Sequence, residues 1–163
     1  MLIDLVHEDA LDHRGDAVGQ RGRDASDVRD LVAGGVLETF PSLNFIVAHF
    51  GGGIASLKER LVNRVHRFDR PLTRPFQELF DRLYFDMAGF EGGEVALDAA
   101  LCGISPERLI FATDYPQDFT GVSTASAGHQ PTVPEYVSAI RKRLAAPMAE
   151  KVLGGNAARL LKI

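Results

Sequence analysis

The chain has 163 residues, 45% of them hydrophobic and 25% charged, and it is long enough to bury roughly two thirds of its unfolded surface without disulfides or a structural metal. Eighteen basic side chains against 22 acidic ones give a formal charge of -4, with no basic block long enough to track a phosphate backbone, which argues against a nucleic-acid partner. The single cysteine, Cys102, permits no internal bridge and points to a reducing, cytoplasmic setting, and no apolar run reaches the roughly 20 residues of a bilayer-spanning helix.

Taken in chain order, Leu2 to Val6 reads as a strand; without a basic segment ahead of it, this opening is expected to be neither signal peptide nor membrane anchor. Glu8 to Ala25 is polar, charged and glycine-containing, and is expected to be a loop. Ser26 or Asp27 can cap a helix carrying Val28, Leu31, Val32, Val36 and Leu37, with Pro41 beyond its end. Phe45 to Ala48 is the second strand. Ile54, Leu57, Leu61, Val65 and Phe68 recur at three- and four-residue spacing and predict a helix from Ile54 to Phe68. Leu83 to Phe85 is the third strand, Val95 to Cys102 a helix, and Leu109 to Ala112 the fourth strand. A Ser/Thr/Gly/Ala loop from Thr120 to Thr132 leads into a helix from Pro134 to Leu144, with proline in its first turn.

Strand and helix alternate four times, the pattern of an α/β protein, and residues 1–163 are expected to form a single domain. The strand runs do not alternate apolar with polar residues. Such runs suit parallel strands covered by helices on both faces.

Three strands run out into a residue that binds metal or moves protons: His7 after the first, His49 after the second and Asp114 after the fourth. The third reaches Asp86 a little before its end, in Tyr-Phe-Asp-Met-Ala-Gly. Polar groups at the same end of neighbouring parallel strands converge on one volume, as a metal site or an acid/base pair requires. The competing reading makes each a hydrogen-bonded structural residue or turn former. His13, His66 and His129 are expected at the surface. Gly51-Gly52-Gly53 follows a strand, yet Gly51-x-Gly53-x-x-Ser56 lacks the last small residue of a dinucleotide-binding loop. These glycines are expected instead to let backbone pass close to a ligand or metal.

Four motifs in order carry a family resemblance: Phe40-Pro41-Ser42-Leu43-Asn44-Phe45-Ile46-Val47-Ala48-His49-Phe50-Gly51-Gly52-Gly53; Leu83-Tyr84-Phe85-Asp86; Pro106-Glu107-Arg108-Leu109-Ile110-Phe111-Ala112-Thr113-Asp114-Tyr115-Pro116; and Gly155-Asn156-Ala157-Ala158-Arg159-Leu160-Leu161. Together they resemble the amidohydrolase-related family, and within it the metal-dependent decarboxylases of the aminocarboxymuconate-semialdehyde and hydroxybenzoate type. The resemblance implies a TIM-like (β/α)8 barrel, of which this chain corresponds to the C-terminal half. About four βα units with parallel strands match the fifth to eighth strands of the family. A whole barrel needs about 250 residues.

The resemblance further implies His7 and Asp114 as ligands of a divalent metal, zinc first and manganese as the alternative. His49 and Asp114 are the implied catalytic residues, His49 working beside the metal as general acid/base or hydrogen-bond donor. The expected reaction is non-oxidative decarboxylation, or hydrolysis, of a small carboxylated substrate, whether aromatic or not. Phe50, Met87, Phe90 and Tyr115 are candidates to line its pocket or to pack in the core. Arg21 and Arg23 are candidates to pair with its carboxylate, although a solvated loop is the favoured reading for both.

One departure stands out: the family's first strand carries a His-x-His ligand pair, and no His-x-His occurs in this sequence. His7 and Asp114 give two protein ligands, or three only if His49 swings in, against the three usual at a catalytic zinc, so the chain by itself is expected to hold metal weakly or substoichiometrically. Half a barrel would expose two strand edges and an apolar face, and association into a homodimer or larger oligomer is expected. The alternative is a non-catalytic, homo-oligomeric remnant or binding module of the same fold.

Overall fold

The computed structural model describes residues 2–4, 17–88, 93–113 and 132–163. Four strands, β1 (Leu2–Asp4), β2 (Asn44–Val47), β3 (Tyr84–Asp86) and β4 (Leu109–Ile110), form a parallel sheet in the order β1-β2-β3-β4. Ile3 pairs with Phe45, Ile46 with Tyr84 and Phe85 with Leu109. Tyr84, Phe85, Leu109 and Ile110 are all buried, so β3 and β4 are covered on both faces as their unbroken apolar runs require. β2 alternates, with Phe45 and Val47 buried and Asn44 and Ile46 half-buried.

Between β1 and β2 lies α1 (Ala17–Ala33), which starts well inside the stretch expected to be loop. Arg21 and Arg23 therefore sit on a helix. The Val28, Leu31 and Val32 stripe is buried as its spacing predicts, and it anchors a helix that then runs backwards through Ala17, Gln20 and Arg21. Good helix formers there outweigh Gly19 and Gly22, which cost about 1 kcal/mol each against alanine. After Gly35, in a left-handed conformation at φ 72°, comes α2 (Val36–Thr39).

The single helix expected from Ile54 to Phe68 is broken into a 3-10 turn at Ile54–Leu57, α4 (Lys58–Val62) and a 3-10 turn at Val65–Arg67. The Ser56 hydroxyl donates to the Gly53 carbonyl at 2.8 Å, one of the local bonds by which serine competes with an α-helical ladder. Lys58 reaches away to donate to the Gly103 carbonyl at 2.7 Å, with its ammonium 4.4 Å from the centre of the Phe80 ring. α5 (Phe76–Phe80) has no counterpart among the predicted elements. Its buried Phe76 and Phe80 continue a line of rings from Phe68 to Phe85 on the sheet, at centroid spacings of 6.2, 6.0 and 5.4 Å.

α6 (Gly93–Gly103) and α7 (Val133–Arg143) agree with the predicted helices to within two residues at each end. Thr132 and Glu135 cap α7 reciprocally, and Arg143 bridges from α7 to Glu94 and Asp98 on α6. α8 (Ala146–Glu150) runs through a π-helical turn at Lys151–Gly155 into α9 (Asn156–Leu161). No helix among the described residues is long and apolar enough to cross a membrane.

Candidate functional site

The chain leaves β2 in extended conformation at Ala48 and then does something unusual. His49, Phe50, Gly51, Gly52 and Gly53 take φ values of 53°, 55°, 64°, 59° and 85°, so α3 (His49–Gly52) is a left-handed turn. The Gly51 amide closes it on the Ala48 carbonyl at 2.7 Å. Left-handed backbone is free for glycine but costs about 1–2 kcal/mol at each of the two residues that carry a Cβ, His49 and Phe50. Something must hold them there.

Three contacts do so. Phe50 is buried at 5% exposure. Gly51 lies so close to β3 that a Cβ on it would come within 2.9 Å of both the Phe85 ring and Ile54. Asp86, the next residue on β3, accepts the His49 amide on Oδ1 at 3.0 Å and the Ala88 amide on the same oxygen at 3.0 Å. The carboxylate thereby stitches the end of β2 to the end of β3. The glycine run was expected to clear space for a ligand; at Gly51 the space is taken by Phe85 and Ile54, so the reason is packing.

His49 and Asp86 are both half-buried at the carboxyl edge of the sheet, where a polar group is held yet reachable. Phe111, Ala112 and Thr113, also half-buried, carry β4 towards the same edge. Met87 is fully buried and its amide donates to the Ile110 carbonyl at 3.0 Å, so Met87 and Phe50 resolve as core residues rather than pocket lining. His7, Asp114, Phe90 and Tyr115 lie outside the described residues, as do His13 and His129. His66 is exposed in the turn Val65–Arg67, as expected. Among the described residues no group of three or more His, Cys, Asp or Glu could hold a metal ion.

Sheet order bears on the two expected ligands. They follow β1 and β4, the outer strands, which three spacings of about 4.8 Å would separate by roughly 14 Å in a flat sheet. Only a sheet that curls brings such positions together, and curling is what a barrel does.

The end of β4 is braced from behind. Asn156, 1% exposed, donates through Nδ2 to the carbonyls of Pro106 and Leu109, both at 2.8 Å. The Phe111 amide donates to the Val152 carbonyl at 3.1 Å, within the π-helical turn. The Tyr136 ring packs 6.1 Å from that of Phe111, and burial pushes its phenol well above the usual range, so it stays neutral. The Asn156 motif carries no structural role in the sequence pattern alone; its signal is a lone asparagine among mostly apolar residues.

Residues 10–163 match the amidohydrolase family. The chain belongs to that family. Its parallel sheet is part of the TIM-like barrel of its structural neighbours. It is similar to 6-methylsalicylic acid decarboxylase of Penicillium expansum, 29% identical over an aligned length of 90, with 53% of this chain and 28% of the relative covered. Among solved structures, 5-carboxyvanillate decarboxylase of Sphingomonas paucimobilis superimposes with a TM-score of 0.64 at 27% identity, over 84% of this chain and 38% of that one. Dihydroxybenzoic acid decarboxylase of Polaromonas, solved with bound manganese and the inhibitor 2-nitroresorcinol, gives a TM-score of 0.64 at 21% identity, over 85% and 39%. This chain thus spans well under half the length of each of these three decarboxylases.

Proposed function

We propose that this chain supplies one part of the active site of a metal-dependent, non-oxidative decarboxylase acting on a small aromatic carboxylate. The observation that carries the reading is His49, held in a strained turn at the carboxyl edge of a barrel sheet. Strain kept at such a place is characteristic of functional residues. The similarity to decarboxylases of 6-methylsalicylic and 5-carboxyvanillic acids supports the substrate class.

His7 and Asp114 would hold the divalent metal. An imidazole and a carboxylate suit zinc, and manganese as the alternative. Their number is short of a full ligand set, so further donors come from another segment or another chain. When bound, the cation supplies Lewis acidity towards the substrate carboxylate and its neighbouring hydroxyl. His49 delivers a proton to the ring carbon that bears the carboxylate; as the carbon–carbon bond breaks, its electron pair is left on the ring and CO2 departs. His49 regains its proton from solvent. Hydrolysis of an ester by the same groups is the runner-up chemistry.

The same reading makes residues 1–163 one domain equivalent to the fifth to eighth barrel strands, in a cytoplasmic protein that completes its barrel by homodimerisation or larger assembly. The runner-up of a different class is a self-associating remnant without catalysis.

Release of CO2 from a panel of 2-hydroxybenzoates, measured for the chain alone and with an added segment bearing a His-x-His strand, tests the proposal. Turnover that depends on the added segment and on His49 is expected. A chain that binds neither metal nor aromatic acid under either condition leaves the remnant reading standing.

A further inference from the structure

We infer that Asp86 is the positioning residue for His49: by accepting its amide, the carboxylate keeps the left-handed turn and so sets the direction in which the imidazole leaves the backbone. Residue 49 opens a turn of the wrong hand for the helical ladder, and its N–H lies beyond the end of β2, where it needs an acceptor. Asp86 provides one, from 37 residues away.

The acceptor is well built for the task. Asp86 is itself a member of β3, in register with Ile110 of β4, so its backbone is fixed by the sheet rather than by a loop. Its Oδ1 also takes the Ala88 amide, which fixes the rotation of the carboxylate before His49 is considered. An ionised acceptor makes a stronger bond to an amide than a neutral one. Of the three contacts that hold the turn, this is the one made to residue 49 itself; without it His49 is free to shift from φ 53° towards the ordinary region at about -60°, which swings its Cα–Cβ bond to a different side of the chain. Phe85 and Asp86 therefore act as a pair: the ring admits only glycine at position 51, and the carboxylate secures the non-glycine residue at position 49.

This deepens the proposed role of His49 in proton transfer and rests on it for its catalytic meaning, yet the positioning is read without turnover. The experiment is proton–nitrogen and imidazole carbon NMR on the full 163-residue chain, as wild type, D86A and D86N. In D86A the His49 and Ala88 amides are expected to move upfield by more than amides outside β2, β3 and α3. The His49 imidazole resonance moves with them, while that of exposed His66 stays in place. D86N, which keeps an Oδ1 acceptor, returns all three most of the way. An unmoved His49 imidazole in D86A, or D86N behaving like D86A, overturns the inference. Should D86A fail to fold, D86E, which carries the carboxylate one methylene further out, takes its place: a displaced imidazole resonance supports the inference and an unmoved one overturns it. Loss of decarboxylase activity with these shifts intact would count against the proposed reaction alone.

Discussion

Asn156 reaches across 47 residues to donate its side-chain amide to the carbonyl of Leu109, on the strand that leads to Asp114. A second bond goes to the carbonyl of half-buried Pro106, and at Leu109 burial leaves no water to replace the bond. Asn156→Ala leaves one buried and one half-buried acceptor without this donor and is expected to cost about 2–3 kcal/mol. Asn156→Asp, of the same shape but presenting oxygen to oxygen, should cost at least as much. Urea unfolding of the two variants measures this; a loss below about 0.5 kcal/mol, the range of ordinary surface changes, would mean that the clamp is idle.

The glycines at 51 and 53 separate two effects that usually travel together. Both are left-handed, but a Cβ at Gly51 meets Phe85 and Ile54 while a Cβ at Gly53 meets nothing within 4 Å. Gly53→Ala is expected to cost about 1–2 kcal/mol, the backbone strain alone. Gly51→Ala adds about 1–3 kcal/mol of crowding in a packed core. Thermal unfolding of both variants gives the comparison, and equal losses would refute the close approach.

The difference between what was and was not legible in the sequence follows from the range of the forces involved. Val28, Leu31 and Val32 announced their helix because helical periodicity is local, and Leu109 and Ile110 announced a buried strand for the same reason. The first half of α1 was misread because its glycines and charges look like a loop; docking of the Val28 face decides its state. α5 was too short to show a period. The three glycines signalled positive φ, but nothing signalled that His49 and Phe50 would share it, since that depends on Phe85 and Asp86 from another strand. Asp86 was visible as a strand-end carboxylate; that it would accept a backbone amide was not.

Glu38 gives the stability a definite pH dependence. Its carboxylate accepts the Thr73 hydroxyl at 2.5 Å and the amides of Thr73 and Arg74 at 2.7 and 3.1 Å, and it pairs with Arg70 at 2.9 Å. The Thr73 hydroxyl, then those amides and Arg70, hold its pKa below the ordinary 4.5 against the opposing effect of burial. A carboxylate whose folded pKa is depressed stabilises fully above its unfolded value, and the contribution is lost as pH falls through the folded value. The gap in unfolding midpoint between wild type and Glu38→Gln should therefore be widest near neutrality and close as pH falls below 4.5. Asp98, held low by Arg143, and Glu107, held low by Lys151, shift in the same direction but cancel in that difference. A gap that is constant with pH would show that Glu38 contributes through shape rather than charge.

Metal binding tests the proposed ligand set most directly. With β1 and β4 at opposite edges of the sheet, His7 and Asp114 can share an ion only in a curled sheet, and two donors fall short of a catalytic zinc shell. Protein purified without added metal should hold less than one equivalent of zinc or manganese, measured by elemental analysis, and lose it readily to a chelator. An added segment carrying His-x-His should raise metal content and CO2 release together, and His7→Ala or Asp114→Ala should abolish both gains. His49→Ala should keep most of the metal while removing turnover, because a proton-transfer residue is not needed to hold the ion. Asp86→Asn should likewise keep the metal, since Asp86 is assigned to the His49 amide. Tight, stoichiometric metal that survives both His7→Ala and Asp114→Ala would move the centre to other residues, and loss of metal in His49→Ala would make His49 a ligand instead of an acid.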